Sequence, residues 1–363
     1  MKKPLPTAML SLVLAVVFAG CSPVQVIQRS EPTIPAATPT EIPTLRAPTR
    51  TVARATATAT RIATATPVAD TMIATPVPTA TLRSLLFAYY YIWFDLRSWD
   101  RAKIDLPLLG KYVSDDEKVM RQHVRWAKEV GIDGFIVGWK STDKLDARLD
   151  KILKIADEEN FKILMIYQAL DFARNPLKLS KIRADIDGFI AEHLDHPSLR
   201  VFGKPVMIWS GTWKFSARDV ASVTAPRRDR LLFLGTAKTV KDYERIAESL
   251  DGNAYYWSSV NVETNLNYEA KLSDMADAIH SHNGLWIAPA APGFDARLVG
   301  GTQVVDRKNG ETLRQQMSAA SQSTPDAIGL ISWNEFSENS YVEPSVKFGR
   351  YYLDIIKEIR SSP

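Results

Sequence analysis

Eight short apolar runs alternate with amphipathic segments across residues 84–363, and this alternation predicts one (β/α)8 barrel, the TIM-barrel class of α/β fold. Two further observations favour a closed barrel over an open sheet. The runs are apolar almost throughout, as parallel strands buried on both faces require. No G-x-G-x-x-G follows the first run, and no G-x-x-x-x-G-K-[ST] occurs in the chain, so the usual marks of a nucleotide-binding sheet are missing.

The expected strands, in order, are "LLFAYYYIW" (85–93), "DGFIVGW" (133–139), "KILMIYQ" (162–168) and "KPVMIWS" (204–210). They continue with "LLFLGT" (231–236), "NAYYWS" (253–258), "LWIAPA" (285–290) and "AIGLISW" (327–333). Helical period is clearest at 115–131, where Val119, His123, Trp126, Ala127 and Val130 recur at three- and four-residue steps, with Asp115 as start and Gly131 as stop. Further helices are expected at 144–159, 179–194, 216–225, 239–249, 266–282, 311–321 and 346–360.

Before the barrel the composition changes. Lys2 and Lys3 precede an apolar run at 8–18, too short to span a bilayer comfortably, which ends in "VFAGCS". Residues 1–20 therefore read as a signal peptide. The small residues before Cys21 resemble the lipobox of bacterial lipoproteins, in which this cysteine is acylated. Cys21 is the only cysteine, so the barrel is expected to fold without a disulfide. Residues 22–83 contain no aromatic residue and are rich in Thr, Pro and Ala, a composition that cannot bury enough apolar surface to order itself. A disordered stalk over 21–83 is expected, placing the barrel outside the cytoplasm at the cell envelope, lipid-anchored through Cys21.

Charge excludes one class of partner. The formal net charge is +4. Lys2 and Lys3 supply two of these charges, and six Arg against three acids in residues 22–83 supply three more, which leaves the barrel one charge negative. A near-neutral domain without a basic stripe is not expected to bind nucleic acid.

Chemistry in such a barrel sits at the C-terminal ends of the strands. Those ends carry Tyr91, Trp93 and Asp95; Trp139, Lys140 and Asp143; Gln168 and Asp171; Trp209 and Trp213; Tyr256 and Trp257; Asp295; and Asn334, Glu335, Glu338 and Glu343. Aromatic faces among carboxylates and amides suit sugars, whose C–H faces stack while their hydroxyls bond to acids and amides. Tyr91, Trp93, Trp139, Gln168, Trp257, Asn334 and Glu343 are the expected sugar contacts, although Trp139 and Trp257 would serve equally as caps on the core. Asp133 lies at the entry end of its strand and reads as a turn or cap residue. His123 reads as a buried structural histidine. The five His are scattered with no H-E-x-x-H, and no G-x-S-x-G elbow occurs, so neither a metal nor a serine triad is expected.

Glu335 and Glu338 would face opposite ways on a regular strand. If the strand ends near Trp333 and the chain bends at Asn339, a residue type that tolerates left-handed angles, both reach the barrel mouth. Two carboxylates there repel, one pKa rises, and that group can act as an acid. This is the arrangement of a glycosidase.

"ISWNEFSENSYVEPS" resembles the "SWNEW-x-EG-x-x-IEPS" signature of glycoside hydrolase family 99. "AYYYIWF", "PLLGKYVSDDEKVMRQHVRWAKEVGIDGFIVGW", "FGKPVMIW" and "APAAPGFDARLV" are similar to further family blocks, so the resemblance covers nearly the whole barrel. It implies a retaining endo-acting glycosidase on α-mannan-like polysaccharide. Glu338 would be the general acid/base and Glu335 the base on the sugar's 2-hydroxyl, through a 1,2-anhydro sugar and without a cofactor. The family pattern is broken at Ser337 and Asn339, which replace His and Gly, at Lys140, which replaces a Trp, and at Gln168, which replaces an acid. The glutamate pair is retained while part of the sugar-recognising shell differs. The protein is expected to be a monomer. Two other readings stay open: a glycan-binding lipoprotein without turnover, and a hydrolase of another α-glycan such as α-1,3-glucan.

Overall fold

The computed structural model describes residues 84–361 apart from residues 102 and 172. The expected leader, Cys21 and the stalk lie outside the described residues. Seven parallel strands, β1 Leu85–Tyr91, β2 Gly134–Trp139, β3 Lys162–Gln168, β4 Val206–Ser210, β5 Leu232–Leu234, β6 Gly252–Ala254 and β7 Leu285–Ala290, are joined by an eighth, β10 Ala327–Leu330. A two-stranded antiparallel excursion absent from the sequence reading, β8 Phe294–Asp295 and β9 Val304–Val305, separates the last two barrel strands. The helices are α1 Glu117–Glu129, α2 Asp143–Glu158, α3 Leu179–His193, α4 Ala217–Thr224, α5 Val240–Glu244, α6 Tyr268–Ser281, α7 Glu311–Gln322 and α8 Tyr351–Ser361.

The strand order β5-β4-β3-β2-β1-β10-β7-β6 is that of a barrel read around its wall. β5 and β6 close it through a single parallel bridge, Gly235 to Asn253. There the Gly235 N–H donates to Gly252 O at 3.0 Å and the Ala254 N–H to Gly235 O at 2.9 Å. The expected (β/α)8 barrel is the observed fold.

Alternation along each strand divides the apolar side chains between two cores. Phe87, Tyr89, Ile136, Leu164, Ile166, Ile208, Leu234, Ala254 and Ile287 fill the barrel interior. Leu86, Ala88, Tyr90, Val137, Met165, Met207 and Trp286 face the helices and pack on residues such as Leu149, Ile152 and Leu272.

Several boundaries differ from those read in the sequence. β1 stops at Tyr91 because the Asn334 side chain takes both its N–H and its carbonyl, at 2.9 Å each. β5 and β6 are shorter than expected because side chains replace the ladder. Thr212 Oγ1 accepts the Thr236 N–H at 2.9 Å, and Asn253 Oδ1 accepts the Ala237 N–H at 2.7 Å. α1 starts one residue later than expected. Asp116, not Asp115, caps it by accepting the Lys118 N–H at 2.9 Å. Asp115 instead binds Arg148. Gly131 ends the helix at φ 78°, as expected, with the Ile132 N–H closing back on Ala127 O at 2.9 Å.

Candidate active site

Beyond β10 the backbone leaves the sheet and folds into a pinned turn. The Trp333 N–H still pairs with Tyr89 O at 2.8 Å, so the chain stays on the barrel wall. The loop then closes on itself: the Val342 N–H donates to Ser332 O at 3.0 Å, and the Glu343 N–H to Trp333 O at 2.8 Å. Inside it, Glu335 caps a one-turn 3-10 helix, Phe336–Glu338, and Asn339 leaves it at φ 50°, ψ 34°. The bend expected at Asn339 is therefore present. Arg307 holds it from outside, donating to Asn339 O at 2.9 Å and Tyr341 O at 2.8 Å.

Both glutamates are buried at the barrel mouth, Glu335 with 5% and Glu338 with 3% of its surface exposed. Their surroundings differ. Glu335 Oε1 accepts the Ser337 N–H at 3.0 Å. Lys103, whose Nζ donates to Ser337 Oγ at 3.1 Å, adds a nearby positive charge. Glu338 Oε1 is buried with no hydrogen-bond partner among the described residues. Burial raises the pKa of both, but the Ser337 N–H and Lys103 restrain the rise at Glu335. At Glu338 the charge of Glu335 adds to burial and only Arg174 opposes it, so its pKa is pushed well above the usual carboxylate range. A proton shared by the pair therefore favours Glu338.

Two tyrosines face the same pair. The Tyr91 and Tyr256 hydroxyls are hydrogen-bonded to each other. Burial raises both pKa values, and the charges of Glu335 and Glu338 raise them further. Trp93 stacks on Tyr91 with ring centres 4.2 Å apart. Gly138 makes room for this stack, since a Cβ there would lie 2.8 Å from the Tyr91 ring.

The other expected sugar contacts divide. Tyr91 and Trp93 lie beside the glutamates. Gln168 ends β3 on the parity of Leu164 and Ile166, which face the barrel interior, and it is half-buried. Trp257 sits at the rim, its ring under the Lys238 ammonium at 3.5 Å. Trp139 is corrected: it belongs to the helix-facing core, packs near Phe189, and donates its indole N–H to Asp146 at 2.7 Å. Gly138, not Trp139, faces inward. Asn334 and Glu343 are wholly internal. Asn334 clamps Tyr91, and Glu343 accepts from Tyr112 at 2.9 Å while lying 3.1 Å from His123 Nε2. Both support the mouth from beneath. Asp95 pairs with Arg148 and Lys144, Asp295 with Arg297, and Trp209 is fully buried.

Two neighbours of the pair were not singled out in the sequence. Lys103 and Arg174 lie in irregular loops, and Arg174 has the positive φ of 66° that no sequence pattern signals. Tyr256 was visible as a strand-end aromatic but not as the partner of Tyr91. No group of three or more His, Cys, Asp or Glu that could hold a metal ion occurs among the described residues.

Comparison with known proteins bears on this arrangement. The structure of an endo-alpha-mannosidase of family 99 from Bacteroides thetaiotaomicron, in complex with BIS-TRIS-propane, superposes with a TM-score of 0.65 at 23% identity, covering 78% of this chain and all of that one. A second structure of an endo-alpha-mannosidase from that organism gives 0.64 at 22% identity, with coverage of 78% and 100%. A glycoside hydrolase-like protein gives 0.60 at 18% identity, with coverage of 78% and 96%. At these identities the likeness is one of fold. No curated protein sequence matches. The sequence profile of glycosyl hydrolase family 99 matches residues 95–356, nearly the entire barrel including the turn that carries Glu335 and Glu338. The chain thus belongs to glycosyl hydrolase family 99 and is a glycoside hydrolase.

Proposed function

We propose that this protein is a retaining endo-glycosidase acting on α-linked polysaccharide, with Glu338 as general acid/base and Glu335 as base on the 2-hydroxyl of the sugar being cleaved. One observation carries the reading: two buried carboxylates share a single turn at the mouth, and their surroundings separate their proton affinities. Glu338 keeps the proton that the leaving oxygen needs. Glu335, restrained by Ser337 and Lys103, ionises first and takes the 2-hydroxyl proton. O2 then attacks C1 as the glycosidic bond breaks, giving a 1,2-anhydro sugar. Water opens that ring at C1 with Glu338 as base, and O2 regains its proton from Glu335. Both steps invert, so configuration is retained overall.

Because two of the superposed structures are of an endo-alpha-mannosidase, an α-mannan-like polymer is the first substrate to try, with α-1,3-glucan next. The purified protein is incubated with each polymer, reducing ends are counted, and anomers are followed as they form. Glu335→Gln and Glu338→Gln should each fold and lose turnover by a factor of about 10²–10⁴. Wild-type rates in either variant would remove that residue from the mechanism, and an inverted product would remove the anhydro route. Glycan binding with no turnover on any polymer would favour the non-catalytic alternative. The same proposal places the enzyme at the cell envelope through acylated Cys21. Cys21→Ser should move it to the soluble fraction, and its retention in the membrane would rule out this anchor.

A further inference from the structure

The mouth carries a positive rim on one side of the glutamate pair. Going round the strand ends, Lys140 follows β2, Arg174 lies in the loop after β3, Lys214 follows β4, and Lys238 follows β5. Lys271 of α6 comes next, its Nζ donating to Tyr255 OH at 2.8 Å. Arg174 links this rim to the site: its charge acts on Glu338 and Tyr256 on one side and on Lys238 on the other.

Elsewhere several half-buried or buried cations serve the fold by binding carboxylates. Arg148 binds Asp95 and Asp115, Arg227 binds Asp187, and Arg360 binds Asp133, with separations of 2.6–2.7 Å. Lys238 differs. Its ammonium is wedged between two indoles, 3.5 Å from the Trp257 ring centre and 4.4 Å from that of Trp213. No carboxylate lies within ion-pair distance of it among the described residues. Asp242 is the acid that acts on it at longer range. Burial and the charges of Arg174, Lys271 and Lys214 draw its pKa down to about 8. Half-buried like charges held this close oppose folding, and an anion brought among them would relieve the strain. The two indole faces also hold the ammonium in place before a ligand arrives.

We propose that the glycan hydrolysed here carries an anionic substituent, a uronate carboxylate, a phosphate or a sulfate, which binds at the rim formed by Arg174 and Lys238 beside Glu338. This rests on the reading that Glu335 and Glu338 mark the cleavage point, and it adds the chemistry of the neighbouring subsite. The Arg174 guanidinium suits the paired oxygens of such groups, and Lys238 adds a charge that water only partly screens.

Binding tests it without turnover. The full chain carrying Glu338→Gln is titrated with α-mannan and α-1,3-glucan, each neutral or substituted to equal degree with carboxylate, phosphate or sulfate. At low salt an anionic form should bind at least about tenfold tighter than its neutral parent, with the advantage shrinking at about 0.5 M NaCl. The tightest of the three forms identifies the substituent. Lys238→Gln should remove most of the preference and Lys238→Arg should retain it. Equal affinity for neutral and anionic polymers overturns the proposal, as does a preference unchanged by Lys238→Gln in a protein with wild-type melting. The comparison between polymers with Lys238 intact stands alone if the Lys238→Gln variant does not fold. Failure of Glu335→Gln or Glu338→Gln to reduce turnover would overturn the catalytic assignment without altering these affinities.

Discussion

A carboxylic acid that donates a proton near neutral pH needs surroundings that oppose its ionisation. Glu338 has them in burial, in the charge of Glu335 and in a buried Oε1 with no hydrogen-bond donor among the described residues. The same surroundings affect stability. The folded pKa lies well above the ordinary 4.5, so the folded state holds the proton after the unfolded chain has lost it. Stability should therefore fall as pH rises from about 4.5 toward the raised value, and then level off. Melting temperatures across pH should show that fall in the wild type and a weaker one in Glu338→Gln; identical curves would contradict the raised pKa. Lys103 acts in the opposite direction on Glu335. In Lys103→Met the proposed base, Glu335, loses a positive neighbour, so the acidic limb of kcat/KM should move to higher pH. An unmoved limb would leave Lys103 without a role in setting the charge of Glu335. Neither lysine nor arginine partner was legible beforehand, because loops 96–107 and 169–178 carry no periodicity that fixes where a side chain ends.

The turn after β10 works as an element because other elements hold it. Asn334 clamps the end of β1, Arg307 holds Asn339 and Tyr341, and Phe336 stacks on Tyr341 at 3.9 Å. Asn334→Ala removes two buried bonds to Tyr91 and leaves its N–H and carbonyl to find other partners. Roughly 2–4 kcal/mol of stability should be lost, and turnover should drop because Tyr91 faces the glutamates. Urea unfolding and initial rates read both effects, and full stability with full activity would show the clamp to be dispensable. Strand parity explains the misplaced Trp139. In "GFIVGW" both faces of β2 are apolar, because a barrel strand is buried on both, so alternation cannot tell interior from helix side. The bend at Asn339 was legible because it depends on a local backbone preference. The network of Glu343, His123 and Tyr112 was not, because it joins β10's loop to α1 and to the loop after β1.

At the scale of the whole barrel, the last helix secures the first strands. Arg360 of α8 donates to Ser84 O and Gly131 O at 2.9 Å each and to Asp133 at 2.7 Å. Asp133 also accepts the Leu86 N–H at 2.8 Å, which gives the entry-end residue its structural role. The end opposite the active-site mouth is thus tied by contacts between chain termini of the barrel. Arg360→Ala should lower stability by roughly 2–3 kcal/mol, leaving a part-buried carboxylate without its partner. The urea midpoint should fall with an unchanged slope, while kcat should hold because the contact lies at the far end. A fall in kcat without a change in midpoint would refute this separation.

The chain order alone determined the class of fold, the eight strands, most of the helices and the pair Glu335 and Glu338. These follow from local properties: apolar runs, helical period, capping residues and a bend-tolerant asparagine. Tertiary structure decided which strand-end residues meet the site. Trp139 turned to the helices, Asn334 and Glu343 became supports, and Lys103, Arg174 and Tyr256 arrived from separate loops. The two glutamates were likewise made unequal by neighbours distant in sequence. Proton affinity depends on burial and on charges a few ångströms away, and those distances exist only once the barrel has closed.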